Sequence, residues 1–150
     1  MEHIEFKGNN GFIKFHFLEF PDFPNETHFA GGYECLVKAE IKSGIFNGCS
    51  QIWSSTGDFI NLFRDLKESY NKIEGISKYS NYEHNLSFEI KFDKFGHVKI
   101  SGEFHNYSED ENTLIFEIQS DQSFIKDAIT EYKILESKYG GMTGVKKTTV

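Results

Sequence analysis

The side chains able to do chemistry are six histidines, two cysteines and 23 carboxylates among 150 residues. No two histidines have the H-x3-H spacing that would bring both imidazoles to one helical face, so no metal site and no cofactor is expected. His97, Glu103 and His105 occupy odd positions of one alternating stretch, which places them on one face of a strand. A bend in that strand would let them converge. They are the best polar candidates for a small-ligand-binding or hydrolytic pocket between sheet and helices. Cysteine catalysis needs a thiolate stabilised by positive charge or by a helix N-terminus. Cys35 lies among apolar strand residues and Cys49 in mid-hairpin, and neither setting supplies that. Glu109, Asp110 and Glu111 form the densest acidic cluster, but in a loop rather than across a cleft, where paired carboxylates would work as acid and base. The chain has no P-loop, dinucleotide fingerprint or G-x-S-x-G elbow. The residues favour binding over catalysis. Loops held by rigid elements concentrate recognition, so Glu109, Asp110, Glu111 and the loop residue Phe23 are the candidate partner-binding residues.

The elements that must position these groups belong to one α+β domain. Its length suits a single domain burying about two-thirds of its unfolded surface. The 16 phenylalanines suit a sheet core, since Phe buries large area without a polar atom to satisfy. The net charge of −7 opposes direct contact with a phosphate backbone and suits a basic protein partner. No apolar run approaches the roughly 18 residues of a membrane span. Met1-Glu2-His3 opens directly on a strand pattern without a basic or apolar leader, and two cysteines make no disulfide framework. A cytoplasmic protein with both thiols reduced is the expectation.

Periodicity orders the elements. The segments 3–7 and 12–20 flank Gly8-Asn9-Asn10-Gly11 and read as a hairpin. Its second arm is apolar on both faces, as expected of a strand that is central or covered on both sides. A second hairpin runs 33–54, its turn at Ser43-Gly44 setting Lys38 opposite Cys49 and precluding a Cys35–Cys49 bridge without a bulge. Phe59, Leu62, Phe63, Leu66, Tyr70 and Ile73 make a helical stripe, with Asp58 the preferred N-cap and Gly75 the stop. Leu86 to Ile118 then alternates through three strands with short links, hence an antiparallel meander. Asp121 caps a last helix burying Phe124, Ile125, Ala128, Ile129, Tyr132 and Leu135 and stopping at Gly140-Gly141. The expected fold is about seven antiparallel strands with two helices packed on them, in the order β4-α-β3-α. The domain spans 1–141 and 142–150 is a flexible tail.

Several of these positions carry a resemblance. Gly48 precedes the strand bearing Trp53. Asp58-Phe59 open a helix with Leu62 and Leu66. Then come Leu86-Phe88-Ile90, Gly96-His97-Val98, Gly102, and Phe116 leading to Asp121-Gln122-Ser123-Phe124. In this order, across roughly residues 30 to 138, the chain resembles the WapI-like immunity proteins of bacterial polymorphic and contact-dependent toxin systems. The resemblance implies a small cytoplasmic protein, not an enzyme, that binds and neutralises a cognate toxin domain, commonly a nuclease.

Overall fold

The computed structural model describes residues 2–139. Eight strands form two four-stranded antiparallel sheets, in orders β1-β2-β3-β4 and β5-β6-β7-β8. The strands are β1 (His3–Lys7), β2 (Gly11–Glu19), β3 (Glu34–Ser43), β4 (Phe46–Ser55), β5 (Gly75–Ser80), β6 (Leu86–Phe92), β7 (His97–Asn106) and β8 (Asn112–Asp121). Helix α1 (Thr56–Lys72) joins the sheets and α2 (Gln122–Lys138) follows the second. The α+β class and the two helices are as expected; the strand count is eight, not seven. No described helix is long and apolar enough to cross a membrane.

Each sheet turns one face inward by simple alternation. Ile13, Phe15 and Phe17 of β2 are buried with Val37, Ala39 and Ile41 of β3, facing Phe88 and Ile90 of β6 and Ile100 of β7. Phe15 lies centrally, its ring 5.0 Å from Phe59 of α1, 5.2 Å from Tyr79 of β5 and 6.2 Å from Phe88. The two helices meet through Phe63 and Tyr132, stacked at 4.2 Å. Phe6 stacks on Phe63 from the sheet side at 5.7 Å. Helix, sheet and helix thus share one core.

β2 is central, one of the two expected alternatives, with its second face half-buried at Phe12, Leu18 and Phe20, so that expectation stands. The expectations that fail do so locally. The second hairpin turns at Gly44-Ile45, so Cys49 faces Glu40 rather than Lys38, and Cys35 faces Ser54. Both thiols are free. Ser55, not Asp58, is the N-cap of α1; Asp58 stands three residues in and completes a capping box, its carboxylate accepting the Ser55 amide at 3.0 Å. The helix stops at a left-handed Ile73, and Gly75, also at positive φ, opens β5. Phe124 is half-buried, whereas the other five residues of the α2 stripe are buried. The Asp121 cap holds, accepting from the amides of Ser123 and Phe124 at 2.9 and 3.2 Å. The Gly140-Gly141 stop and the 142–150 tail lie outside the described residues.

An unpaired strand edge invites association unless something covers it. α2 covers β1, where Glu131 accepts the Glu5 amide at 3.1 Å and meets His3 at 2.6 Å. β5 lies against α1, with Ser77 and Ser69 hydroxyls 3.5 Å apart. The β1–β2 turn and the end of β3 seal the C-terminal half of β8: the Asn9 amide donates to the Gln119 carbonyl at 2.8 Å and Ser43 Oγ to the Glu117 carbonyl at 3.0 Å. A Cβ on Gly8 would stand 2.3 Å from Ile118 Cγ2 and 2.5 Å from the Gln119 carbonyl oxygen, so the close approach requires glycine.

Candidate functional site

The three polar candidates on β7 do not converge. His97 opens the strand beside Asp93, with Nδ1 and the carboxylate 3.2 Å apart. His105 is eight residues on, roughly 26 Å along an extended strand. Glu103 and His105 do meet, Nε2 to carboxylate at 3.0 Å, and Thr113 Oγ1 takes the other ring nitrogen at 3.0 Å. Both ring nitrogens of this imidazole are thus engaged. Cys49 lines the same groove as His105, yet no hydrogen bond links them among the described residues. Burial pushes the Cys35 thiol well up, away from the thiolate that a nucleophile needs. No cluster of metal-ligating side chains occurs among the described residues.

Half-buried Asp58 belongs to the capping network. Burial raises its carboxyl above the ordinary carboxylate range, against the hydrogen bonds from Ser54 and Ser55 that favour the charged form. Ser54 bridges Asp58 and Tyr79 at 2.8 Å each. These contacts lock the start of α1 to β4 and β5.

The acidic loop is exposed at Glu109, Asp110 and Glu111 and anchored at both ends. Tyr107 Oη donates to the His84 carbonyl at 3.0 Å, and its ring stacks on His105 at 5.4 Å. Asn112 Nδ2 donates to the Asp110 carbonyl at 2.8 Å. Three carboxylates are therefore held at one end of β7 and β8. Phe23 is elsewhere. Half-buried, it packs edge-on to Tyr33 and Tyr139 at 5.0 and 5.1 Å, beside the start of β3.

Two concavities bear on recognition. One, about 640 Å³, lies over the outer face of the second sheet, between Lys78, Glu89, Glu103 and Glu117. The other, about 530 Å³, is a groove between the first half of β4, from Phe46 to Ser50, and the ends of β7 and β8 at Phe104 to Asn106 and Asn112 to Ile115. Its floor is apolar: Gly48 lies where a Cβ would sit 3.0 Å from the Phe104 ring and 3.5 Å from Leu114. The acidic loop joins Asn106 to Asn112 at its rim. Residue-by-residue reading missed this groove because strands distant in sequence, β4 against β7 and β8, make it.

The sequence profile of the Immunity protein WapI-like family matches residues 4–140, from β1 through α2. The chain belongs to that family. The match spans both sheets and both helices, including the Phe-rich first hairpin that the motif resemblance left out. Neither a curated protein nor a solved structure matches the chain. Family membership carries the coarse function, immunity against a toxin, and with it a cognate toxin as partner.

Proposed function

We propose that the protein neutralises its toxin by stoichiometric, non-enzymatic binding in the cytoplasm, and that the toxin domain is a cationic nuclease. The carrying observation is the family match across the whole fold. The anchored carboxylates of Glu109, Asp110 and Glu111 give the charge argument: a body of net charge −7 steers a basic enzyme toward it and repels that enzyme's nucleic acid. Phe23 is a second, separate contact candidate at the opposite end of the first sheet. Coexpression with the toxin domain encoded immediately upstream is expected to rescue growth and give a copurifying complex. Growth arrest with no complex refutes the reading.

Charge steering has its own signature. Replacing Glu109, Asp110 and Glu111 together by Gln, Asn and Gln is expected to slow association and flatten its salt dependence while leaving the melting temperature unchanged, since exposed loop charges add little stability. Surface plasmon resonance at low and high salt reads this. An unaltered on-rate places the interface elsewhere.

A further inference from the structure

The groove is bordered by backbone, and the ladders reveal which way that backbone points. Thr56 donates to the Tyr33 carbonyl at 2.8 Å, in register with the β3–β4 pairs. In an antiparallel ladder this sets the even residues of β4 toward β3 and turns the N–H and C=O of Asn47, Cys49, Gln51, Trp53 and Ser55 to the free edge. The far half of that edge is partly engaged: Asn81 Nδ2 donates to the Trp53 carbonyl at 2.9 Å, and Asp58 takes the Ser55 amide. The near half is not. Among the described residues the edge groups of Asn47 and Cys49 and the Gln51 amide have no partner; the Gln51 carbonyl has one long 3.4 Å bond from Ser50 Oγ. On β8 the same parity directs Thr113 and Ile115 to the edge, beyond the stretch that Asn9 and Ser43 seal.

Resting on the immunity reading, we propose that the toxin adds an extended segment to β4 at Asn47–Gln51, and that this strand lies in the groove. Its inward side chains fall over Phe46, Phe104 and Leu114 and are therefore apolar. The end reaching the Asn106–Asn112 rim meets Glu109, Asp110 and Glu111 and is therefore basic. Lys38 and Lys42 stand opposite Gln51 and Asn47 on the outer face of the first sheet, so the basic residues belong at the loop end rather than on the outer side. A second copy of this chain fits poorly, because each copy brings net charge −7 and its own acidic loop. The borders at β1 and β5 are covered by helices, the C-terminal half of β8 by a turn, and Trp53 of β4 by a buried Asn; this stretch of β4, facing the open end of β8, offers an apolar floor and free backbone.

Cys49 reports on the site directly. It is exposed and Cys35 is fully buried, so iodoacetamide distinguishes them in the native, full-length protein. In the complex with the upstream-encoded toxin domain, alkylation of Cys49 is expected to slow by about tenfold or more, the factor corresponding to an opening cost of about 1.4 kcal/mol. Cys49→Pro removes an edge N–H and no bond of the β3–β4 ladder, the placement at which a strand tolerates proline. It is expected to keep the fold and weaken the complex about tenfold or more. Asn47→Pro carries the same test nearer the turn if the first variant does not fold. A complex that forms with Cys49 still freely reactive, or at full strength with the folded proline variants, overturns strand addition and leaves the immunity reading intact. Absence of any wild-type complex overturns the immunity reading itself. Self-association that Cys49→Pro abolishes would assign the edge to a second copy and overturn the proposal.

Discussion

The free edge of β8 is closed at Glu117 and Gln119 and open at Thr113 and Ile115. At the closed end the β1–β2 turn presses Gly8 onto Ile118, and Ser120 Oγ donates to the Lys7 carbonyl at 2.5 Å. At the open end the facing strand is the first half of β4, whose side chains are largely exposed. The difference is one of rings. Phe6, Phe15, Phe59, Phe63, Tyr79 and Phe88 fill the space between the sheets next to the helices, whereas Gly48 and Ser50 occupy the inward positions of β4 at the mouth. A sandwich that is tight at one end and short of side chains at the other leaves a groove without losing its core.

Phenylalanine truncation at each end separates the two most widely. Phe15→Ala, at a fully buried ring, is expected to cost about 3–5 kcal/mol in urea unfolding. Phe46→Ala, at a ring 60% exposed, is expected to change stability by no more than about 0.5 kcal/mol and to weaken the toxin complex instead. Equal losses at the two sites would erase the distinction between core and mouth. Gly8→Ala tests the seal on β8 by forcing a Cβ against backbone, with an expected loss of about 2 kcal/mol. A neutral result would show that the turn does not press on β8.

Asp121 gives the smaller and pH-dependent case between those losses and the near-neutral change at Phe46. Asp121→Ala removes the α2 cap and is expected to cost about 1 kcal/mol at pH 7. Hydrogen bonding from Ser123, and then the Phe124 and Ser123 amides, holds the native carboxyl below its ordinary value against slight desolvation. A depressed native pKa means the cap's contribution is complete above about pH 4, the unfolded value, and disappears as pH falls through the lower native one. Wild type and variant should therefore converge in thermal melts toward pH 2. A gap that persists there would mean the cap does not depend on the charge.

The strong periodicities were legible because one face of each element is buried: the α1 stripe, the β6–β8 meander and the Asp121 cap all read directly from residue spacing. β5 was not. Its inward residues are Ser77 and Tyr79 while Ile76 is 47% exposed, so the alternation is polar where an apolar signal is sought. The Ser55 cap was hidden because Asp58 is equally apt in isolation, and only the capping box ranks them. The division of eight strands into two sheets has no local signature. The groove has none either, since it arises where β4 and β8, more than fifty residues apart, fail to meet.

The cover that α2 gives β1 also sets a timetable. The Glu5 amide finds its acceptor in Glu131, 126 residues later in the chain. At about 5–20 residues per second of synthesis, the first strand waits some 6–25 s for the helix that protects it. By then β3 and α1 already pack on the Phe-rich hairpin, and it is the outer edge of β1 alone that waits for α2. A fragment ending before Glu131 has every strand but lacks the contact that closes the first sheet.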